Sequence, residues 1–447
     1  MNDRPSFGKR HREAIVPRTP DYTPQPEALA QAAELRGLCL QRMDASAAAA
    51  IPRERLMLEI EKLLSEIATE RRIQLNAREQ RAVAADLVND MIGLGPLQPL
   101  IDDDSVNDIM VNGPERIFIE QHGKVALSSI RFRNSAHVAN VCQRIATAVG
   151  RRIDESSPMV DARLADGSRV NIVFPPLALD GPYLSIRKFA RSAIDFSTLL
   201  AKGSMTPPMA RVLELASRSR LNVIISGGTG SGKTTLLNAM SRLIDHGERI
   251  VTVEDAAELQ LQQPHVVRLE TRPSNLEGKG EVTQRDLLRN ALRMRPDRII
   301  IGEVRAGEAF DMLQAMNTGH DGSMSTIHAN NTREAVTRIE NMVQMGNMSL
   351  PSLAIKTQIV SAVDLIIQVE RQRDGVRRVT QITDVVGLEG EIVVLNDIFQ
   401  FEYTGEGADG RVSGQYRMSR SRPSFWDRLC YFQLDRAWMQ VLGAEPR

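Results

Sequence analysis

The sequence predicts an α/β protein: a P-loop domain on a mainly parallel sheet, preceded by a smaller α/β domain and a helical N-terminal element. Three observations carry that expectation. A Gly-rich loop, Gly227-Gly-Thr-Gly-Ser-Gly-Lys233-Thr234, separates a strand-like run from a helical one. Around it, apolar β-rich runs at 221–226, 249–254, 266–270, 298–303 and 323–328 alternate with helical patterns, as parallel neighbours joined by crossover helices require. Nearer the N-terminus, short alternating runs bracket one amphipathic helix.

Taken in order, residues 1–50 read as a Pro-rich disordered tail with one weak helix, since Pro5, Pro17, Pro20, Pro24 and Pro26 interrupt charged and small residues. Leu56, Ile60, Leu63 and Ile67 repeat at helical spacing and a second helical run covers 78–91, so 51–95 form a helical element. Strands are expected at 108–113, 116–121 and 124–130. A helix follows with Val138, Val141, Ile145 and Val149 on one face, then strands at 159–164, 169–174 and 183–189, which closes an α/β domain at 96–190. Ser192, Ser197, Gly203, Ser204, Pro207 and Pro208 replace any apolar repeat in 191–208, which reads as a linker and hinge. The P-loop domain spans 209–420, with later strands at 364–370, 376–387 and 391–402 and a loop at 405–414. A helical tail occupies 421–447.

Composition narrows the function. The 447 residues are 42% hydrophobic and 25% charged, which excludes disorder throughout and suits two or three globular units. Lys+Arg and Asp+Glu both number 56, and the pI is near 7.1, so no global field draws the chain to a phosphate backbone or an anionic membrane. No nucleic-acid partner is expected. The odd and scattered set Cys39, Cys142 and Cys430 fits neither a disulfide framework nor a zinc ribbon and points to a reducing compartment. Residues 1–18 lack a signal-peptide core, and the longest apolar runs fall short of the ~18 residues of a membrane span. A cytoplasmic protein with no transmembrane segment of its own is expected, free to dock on a membrane protein.

The loop 227–234 explains itself chemically. Its glycines let the backbone N–H groups of Gly228, Thr229, Gly230, Ser231 and Gly232 converge on phosphate oxygens, and the first turn of the next helix, with Lys233, Thr234 and Thr235, adds positive potential. Lys233 reaches the β and γ phosphates, and the Thr234 hydroxyl serves Mg²⁺. ATP and Mg²⁺ are the implied ligands. Hydrolysis further requires a carboxylate to orient or deprotonate water. The strand Arg298-Ile-Ile-Ile-Gly302-Glu303 ends in an acid suited to the metal, although the commoner form of such a strand has Asp where Gly302 stands. Glu254, Asp255 and Glu258 end another strand, and Glu254 is assigned as the water-polarising base; Glu258 reads better as a solvated or capping acid, and Asp255 is balanced between the two roles. His320 and His328 bracket a short strand, with His328 favoured as a sensor of the γ-phosphate. Arg163, Arg169, Arg187 and Lys188 lie on the last three strands of the first domain, where phosphate neutralisation and plain surface charge are equally compatible with their spacing.

The phosphate loop, the acidic box 252–258, the segment 294–305 and the histidine box 320–330, in that order, resemble the type II/IV secretion system ATPase superfamily. Within it, the stretches 161–171, 332–343 and 389–399 look like the tight-adherence (Tad) pilus branch, the CpaF-like ATPases. The similarity covers about 52–445 and leaves the Pro-rich tail unexplained. The resemblance implies a RecA-like domain at 209–420 and a homo-hexameric ring with ATP held between the two domains of each subunit. It also implies Lys233 and Thr234 on nucleotide and Mg²⁺, Glu254 in the catalytic acidic box, Glu303 at the metal, His328 in the histidine box, and Arg163, Arg169 and Arg187 facing phosphate. The expected function is Mg²⁺-dependent ATP hydrolysis that powers pilus assembly or protein secretion, from the cytoplasmic face of the inner membrane, through an integral platform protein. Two rivals stand beside it: a nucleic-acid translocating RecA-like ATPase, and a non-hydrolysing scaffold gated by ATP. Neutral pI and only 4% aromatic residues weigh against the first, and the complete set of acids and histidine against the second.

Overall fold

The computed structural model describes residues 26–43, 51–121, 123–189, 194–274, 279–346, 350–407 and 410–443. It divides into two units, Met1–Arg191 and Ser192–Arg447.

In the first unit three helices, Pro26–Arg42, Arg53–Arg71 and Ala77–Ile92, bury Leu35, Cys39, Leu56, Ile60, Leu64, Ile67, Val83 and Leu87 in a core of their own. The last helix begins with a reciprocal cap, in which the Asn76 side chain accepts from Glu79 N and the Glu79 carboxylate from Asn76 N, both at 2.9 Å. The one helix expected within 1–50 is present at 26–42, but it places Leu35 and Cys39 in that core where a disordered tail is expected; the rest of 1–50, apart from Met43, lies outside the described residues. The prolines that signal a tail end where the helix starts, and its small residues leave little periodic signal.

An antiparallel sheet follows, with strands β1 (Val106–Asn112), β2 (Ile117–Gln121), β3 (Lys124–Leu127), β4 (Met159–Arg163), β5 (Arg169–Val173) and β6 (Tyr183–Arg187) in the order β3-β2-β1-β6-β5-β4. The helix Ser135–Ala148 turns Val138, Val141, Cys142 and Ile145 onto its apolar face. Asp90 ties the N-terminal helices to the helix Ser135–Ala148 and the turn before it: it pairs with Arg36, with Arg133 at 2.9 Å and with His137 Nε2 at 3.0 Å.

The second unit has strands β7 (Val223–Gly227), β8 (Ile250–Glu254), β9 (Val266–Glu270), β10 (Arg298–Val304), β11 (Met324–Ile327), β12 (Leu365–Arg371), β13 (Arg377–Glu389), β14 (Ile392–Glu406) and β15 (Val412–Met418). Among the described residues they form one sheet, β15-β14-β13-β12-β7-β11-β10-β8-β9, parallel from β12 to β9 and antiparallel from β12 to β15. This is the mainly parallel α/β fold that the alternating pattern predicts. The parallel strands are buried on both faces, so β7 and β8 carry buried residues throughout instead of an alternation.

Three expectations about this unit are corrected in part. Within 191–208, residues 191–193 lie outside the described residues; the rest contains the helix Phe196–Ala201 and the start of the helix Pro207–Arg218, with Leu199 and Met205 buried in the core of the second unit. Asp195 caps the first helix by accepting from Thr198 N at 2.8 Å, so from Asp195 onwards the segment is helix and core where a linker is expected. The helices expected in 421–447 are present at Trp426–Tyr431 and Asp435–Val441, but they bury Leu429 and Trp438 in the core of the unit where a tail is expected; 444–447 lie outside the described residues. The expected loop 405–414 is crossed by β15, which starts at Val412.

Candidate functional site

The parallel strands of the second unit deliver their carboxyl ends to one edge of the sheet, the place where open α/β sheets bind ligands. At that edge β7 runs into the phosphate loop. The loop turns on Gly230 (φ 68°) and on Gly232 (φ 102°), which caps the helix Lys233–Ser241. Gly227 has no room for a side chain, because a Cβ there would meet the Val369 carbonyl oxygen and would stand 2.5 Å from Ser231 Oγ. The strand β12 thus crowds the start of the loop. Lys233 Nζ donates to the carbonyls of Gly227 and Gly228, both at 3.0 Å, which holds the ammonium inside the loop. Burial pushes its pKa below the usual lysine value, against the pull of Glu303 and with the help of Arg305. Glu303 therefore lies within electrostatic reach of the loop lysine.

Between β7 and the acid-bearing β10 stands β11, with Ile327 opposite both Ser226 and Val304. His328, the next residue, is half-buried at the same edge. The backbone after it is anchored by Gln368 Nε2, which donates to the Ala329 carbonyl at 3.3 Å. His320 is at the other end of β11, its Nδ1 meeting the Ala315 carbonyl at 3.2 Å, so the structure separates the two histidines that bracket the strand.

Glu254 ends β8, next to β10, and is only 2% exposed. Its Oε2 accepts from the backbone N–H of Glu258 at 2.7 Å and of Leu259 at 2.9 Å, while Oε1 is buried without a hydrogen-bond partner. Burial raises its pKa above the usual carboxylate value, and those two N–H groups and Arg268 only partly offset it. A carboxylate held by one oxygen, with the other unpaired and the pKa shifted upwards, suits a general base. Glu258 contributes its backbone to this support. The neighbour of Glu254 on β10 is Gly302, where a Cβ would stand 3.0 Å from Glu254 Cγ. The absent Asp of the commoner motif is explained: the Glu254 side chain takes its room.

Glu303 is gripped by Arg305, whose Nε and Nη2 both donate to Oε2, at 2.8 and 2.5 Å. The same guanidinium reaches Asp255 at 3.4 Å through Nη1, so one cation ties the two acidic strand ends together. Arg305 itself sits on a fixed turn, because Glu308 accepts from Arg305 N at 2.6 Å and Ala306 N at 2.8 Å. The motif segment contains Arg305, but its bridging role is not visible from spacing.

Among the described residues no group of three or more His, Cys, Asp or Glu side chains could hold a metal ion. Thr234 and Glu303 carry hard oxygen donors of the kind Mg²⁺ takes, one or two of them together with phosphate oxygens. A cavity of about 280 Å³ adjoins the loop at Gly232 and Thr235, walled by Leu199, Met205, Val369, Val376 and Val379. Its apolar walls fit a flat base or sugar.

Arg163, Arg169 and Arg187 belong to the first unit's sheet. Arg163 is paired in register with Arg169, and Arg169 with Arg187, so the three form a row across β4, β5 and β6. Arg187 Nε also pairs with Asp108 at 3.1 Å.

The family described as Type II/IV secretion system protein matches residues 90–389. The chain belongs to that family. Among its relatives, Rv3659c of Mycobacterium tuberculosis (strain H37Rv) is 41% identical over 312 residues, covering 68% of this chain and 88% of the relative. The conjugal transfer protein TrbB of Rhizobium radiobacter is 36% identical over 293 residues, covering 64% and 86%. Of solved structures, the VirB11 ATPase of the Brucella suis type IV secretion system, in complex with sulphate, aligns over 65% of this chain and 95% of its own at 28% identity, with a TM-score of 0.35. The matched span contains the phosphate loop, both acidic strand ends and the histidine strand, and it begins close to where the helical element ends. Among the described residues no helix is long and apolar enough to cross a membrane.

Proposed function

We propose that this secretion-family chain is a Mg²⁺-dependent ATPase that works as a homo-hexameric ring and powers pilus assembly or protein export through an integral platform of the inner membrane, from its cytoplasmic face. We place it in the tight-adherence, CpaF-like branch on its motif segments. The observation that carries the reading is Glu254: a buried carboxylate with one oxygen anchored and the other unpaired, at the edge of the sheet that carries Lys233 and Glu303.

In this reading the backbone N–H groups of Gly228, Thr229, Gly230, Ser231 and Gly232, with those of Lys233, Thr234 and Thr235, bind the phosphates of ATP, and Lys233 leaves the loop carbonyls for the β and γ oxygens. Thr234 and Glu303 would hold Mg²⁺, which supplies charge neutralisation on the phosphates. Glu254 takes the proton of the attacking water on its unpaired oxygen. His328 hydrogen-bonds the γ-phosphate.

A second reading has one observation in its favour, the conjugal-transfer name of the TrbB relative, under which the exported cargo would include nucleic acid. Salt-sensitive stimulation of turnover by single-stranded DNA would select it. The primary test combines phosphate release with solution mass. The full chain releases phosphate in the presence of Mg²⁺ and has six times the chain mass, whereas Lys233→Ala releases none. A monomer without turnover would refute the proposal.

A further inference from the structure

The hairpin joining β12 to β13 brings a cation to the phosphate loop that no motif announces. Arg377, the first residue of β13, donates from Nε to the Gly230 carbonyl at 2.9 Å, across 147 positions of sequence. Its stem lies along the loop, with Cδ only 3.3 Å from where a Gly232 Cβ would stand. Any side chain at position 232 would meet this stem, so the approach of Arg377 and the glycine at the helix cap are complementary.

The hairpin that carries it is tied to its surroundings at several points. Asp374 accepts from Val376 N at 3.0 Å, pairs with Arg378 at 2.9 Å and accepts from Val412 N at 3.1 Å, which ties the turn to β15. Val379 N donates to the Ser204 carbonyl at 2.8 Å and anchors the other side. Arg377 is therefore held in place by neighbours that do not use its charge. Arg378, one residue on, is paired with Asp374, whereas among the described residues Arg377 has no carboxylate within ion-pair distance. It also lines the cavity of about 280 Å³ that opens at Gly232 and Thr235.

We propose that Arg377 is a further polyphosphate-binding residue, a guanidinium delivered by the β12–β13 hairpin to the phosphate chain where it passes from the loop towards the apolar cavity. The inference rests on the ATP-binding reading of the loop. Its physical basis is the fork geometry of arginine: Nε is committed to the Gly230 carbonyl, which fixes the plane, and the two remaining nitrogens present charged N–H donors in that plane. Loop amides and Lys233 supply the motif's own donors, and Arg377 adds one full charge from a distant part of the chain. Charge-assisted bonds of this kind are the strong ones.

The test is equilibrium binding of ATP, inorganic tripolyphosphate and adenosine to the full chain, for the wild type, Arg377→Met, Arg377→Lys and Lys233→Ala. Arg377→Met keeps most of the stem against Gly232 and removes the charge. Its Kd is expected to rise about tenfold for ATP and by the same factor for tripolyphosphate, with adenosine unchanged and Arg377→Lys between the two. Arg373→Ala, at the exposed turn, serves as the control for charge removal and binds all three as the wild type does. Binding of tripolyphosphate by Arg377→Met within twofold of the wild type would overturn the inference, as would an equal loss for adenosine, which would make Arg377 a wall of the cavity. Indifference of ATP binding to Lys233→Ala would instead count against the site reading, so the two failures are separable.

Discussion

Gly302 and Glu254 face each other on adjacent strands so closely that a Cβ on the glycine would stand 3.0 Å from Glu254 Cγ. The glycine in the metal-site strand is therefore a steric partner of the proposed base, and its departure from the commoner Asp is a consequence of where Glu254 goes. Gly302→Ala is expected to push the Glu254 side chain off its two backbone N–H donors and to lower kcat by about tenfold to a hundredfold, with ATP affinity kept. Steady-state phosphate release alongside nucleotide binding checks this. An Ala variant with full turnover would mean that Glu254 does not need its observed position.

Arg305 joins Glu303 to Asp255, and its loss leaves two acidic strand ends without their common cation. Arg305→Ala is expected to lower kcat about tenfold and to shift the Mg²⁺ concentration giving half-maximal rate, because Glu303 loses the cation on Oε2. Arg305→Lys should recover part of the rate, since an ammonium restores charge without the planar fork. A Mg²⁺ titration at saturating ATP measures both effects. An unchanged titration curve would show that Arg305 serves only the surface.

In the first unit His137 is 8% exposed, with Nε2 3.0 Å from Asp90, and burial followed by the Arg133, Arg36 and Arg144 charges lowers its pKa to about 4. A histidine whose folded pKa lies below its unfolded value contributes stability above the unfolded pKa and loses it as pH falls towards the folded one. Between pH 7 and pH 5 this group alone is expected to remove about 2 kcal/mol of folding stability. Denaturant unfolding of wild type and His137→Gln at both pH values tests it: the gap between the two proteins should narrow at pH 5 by about that amount.

The parts of this site that are legible in the sequence are those written in contiguous residues. The phosphate loop needs glycines in a fixed local order, and a strand ending in an acid is readable from an apolar run and its last residue, so Lys233, Glu254 and Glu303 stand out from the order of residues alone. Arg377 does not, because its partner Gly230 is 147 positions away and nothing in its own neighbourhood marks it. Arg305 lies inside a motif segment, yet its bridge to Asp255 depends on β8 and β10 being neighbours, which is a property of the sheet order. The same limit explains 191–208: Ser and Pro residues weaken the helical pattern locally, and only the burial of Leu199 and Met205 against the rest of the unit restores it. The three arginines show a register across strands that spacing alone leaves unspecified.

The claim on which the function depends is that Glu254 acts on water while the loop holds ATP. Its most direct measurement is a paired assay of Glu254→Gln: bound ATP per chain and phosphate released per chain over time. ATP is expected to bind as in the wild type with turnover reduced by at least about a hundredfold, since the amide keeps the shape but cannot accept the proton. Turnover near the wild-type rate would contradict it.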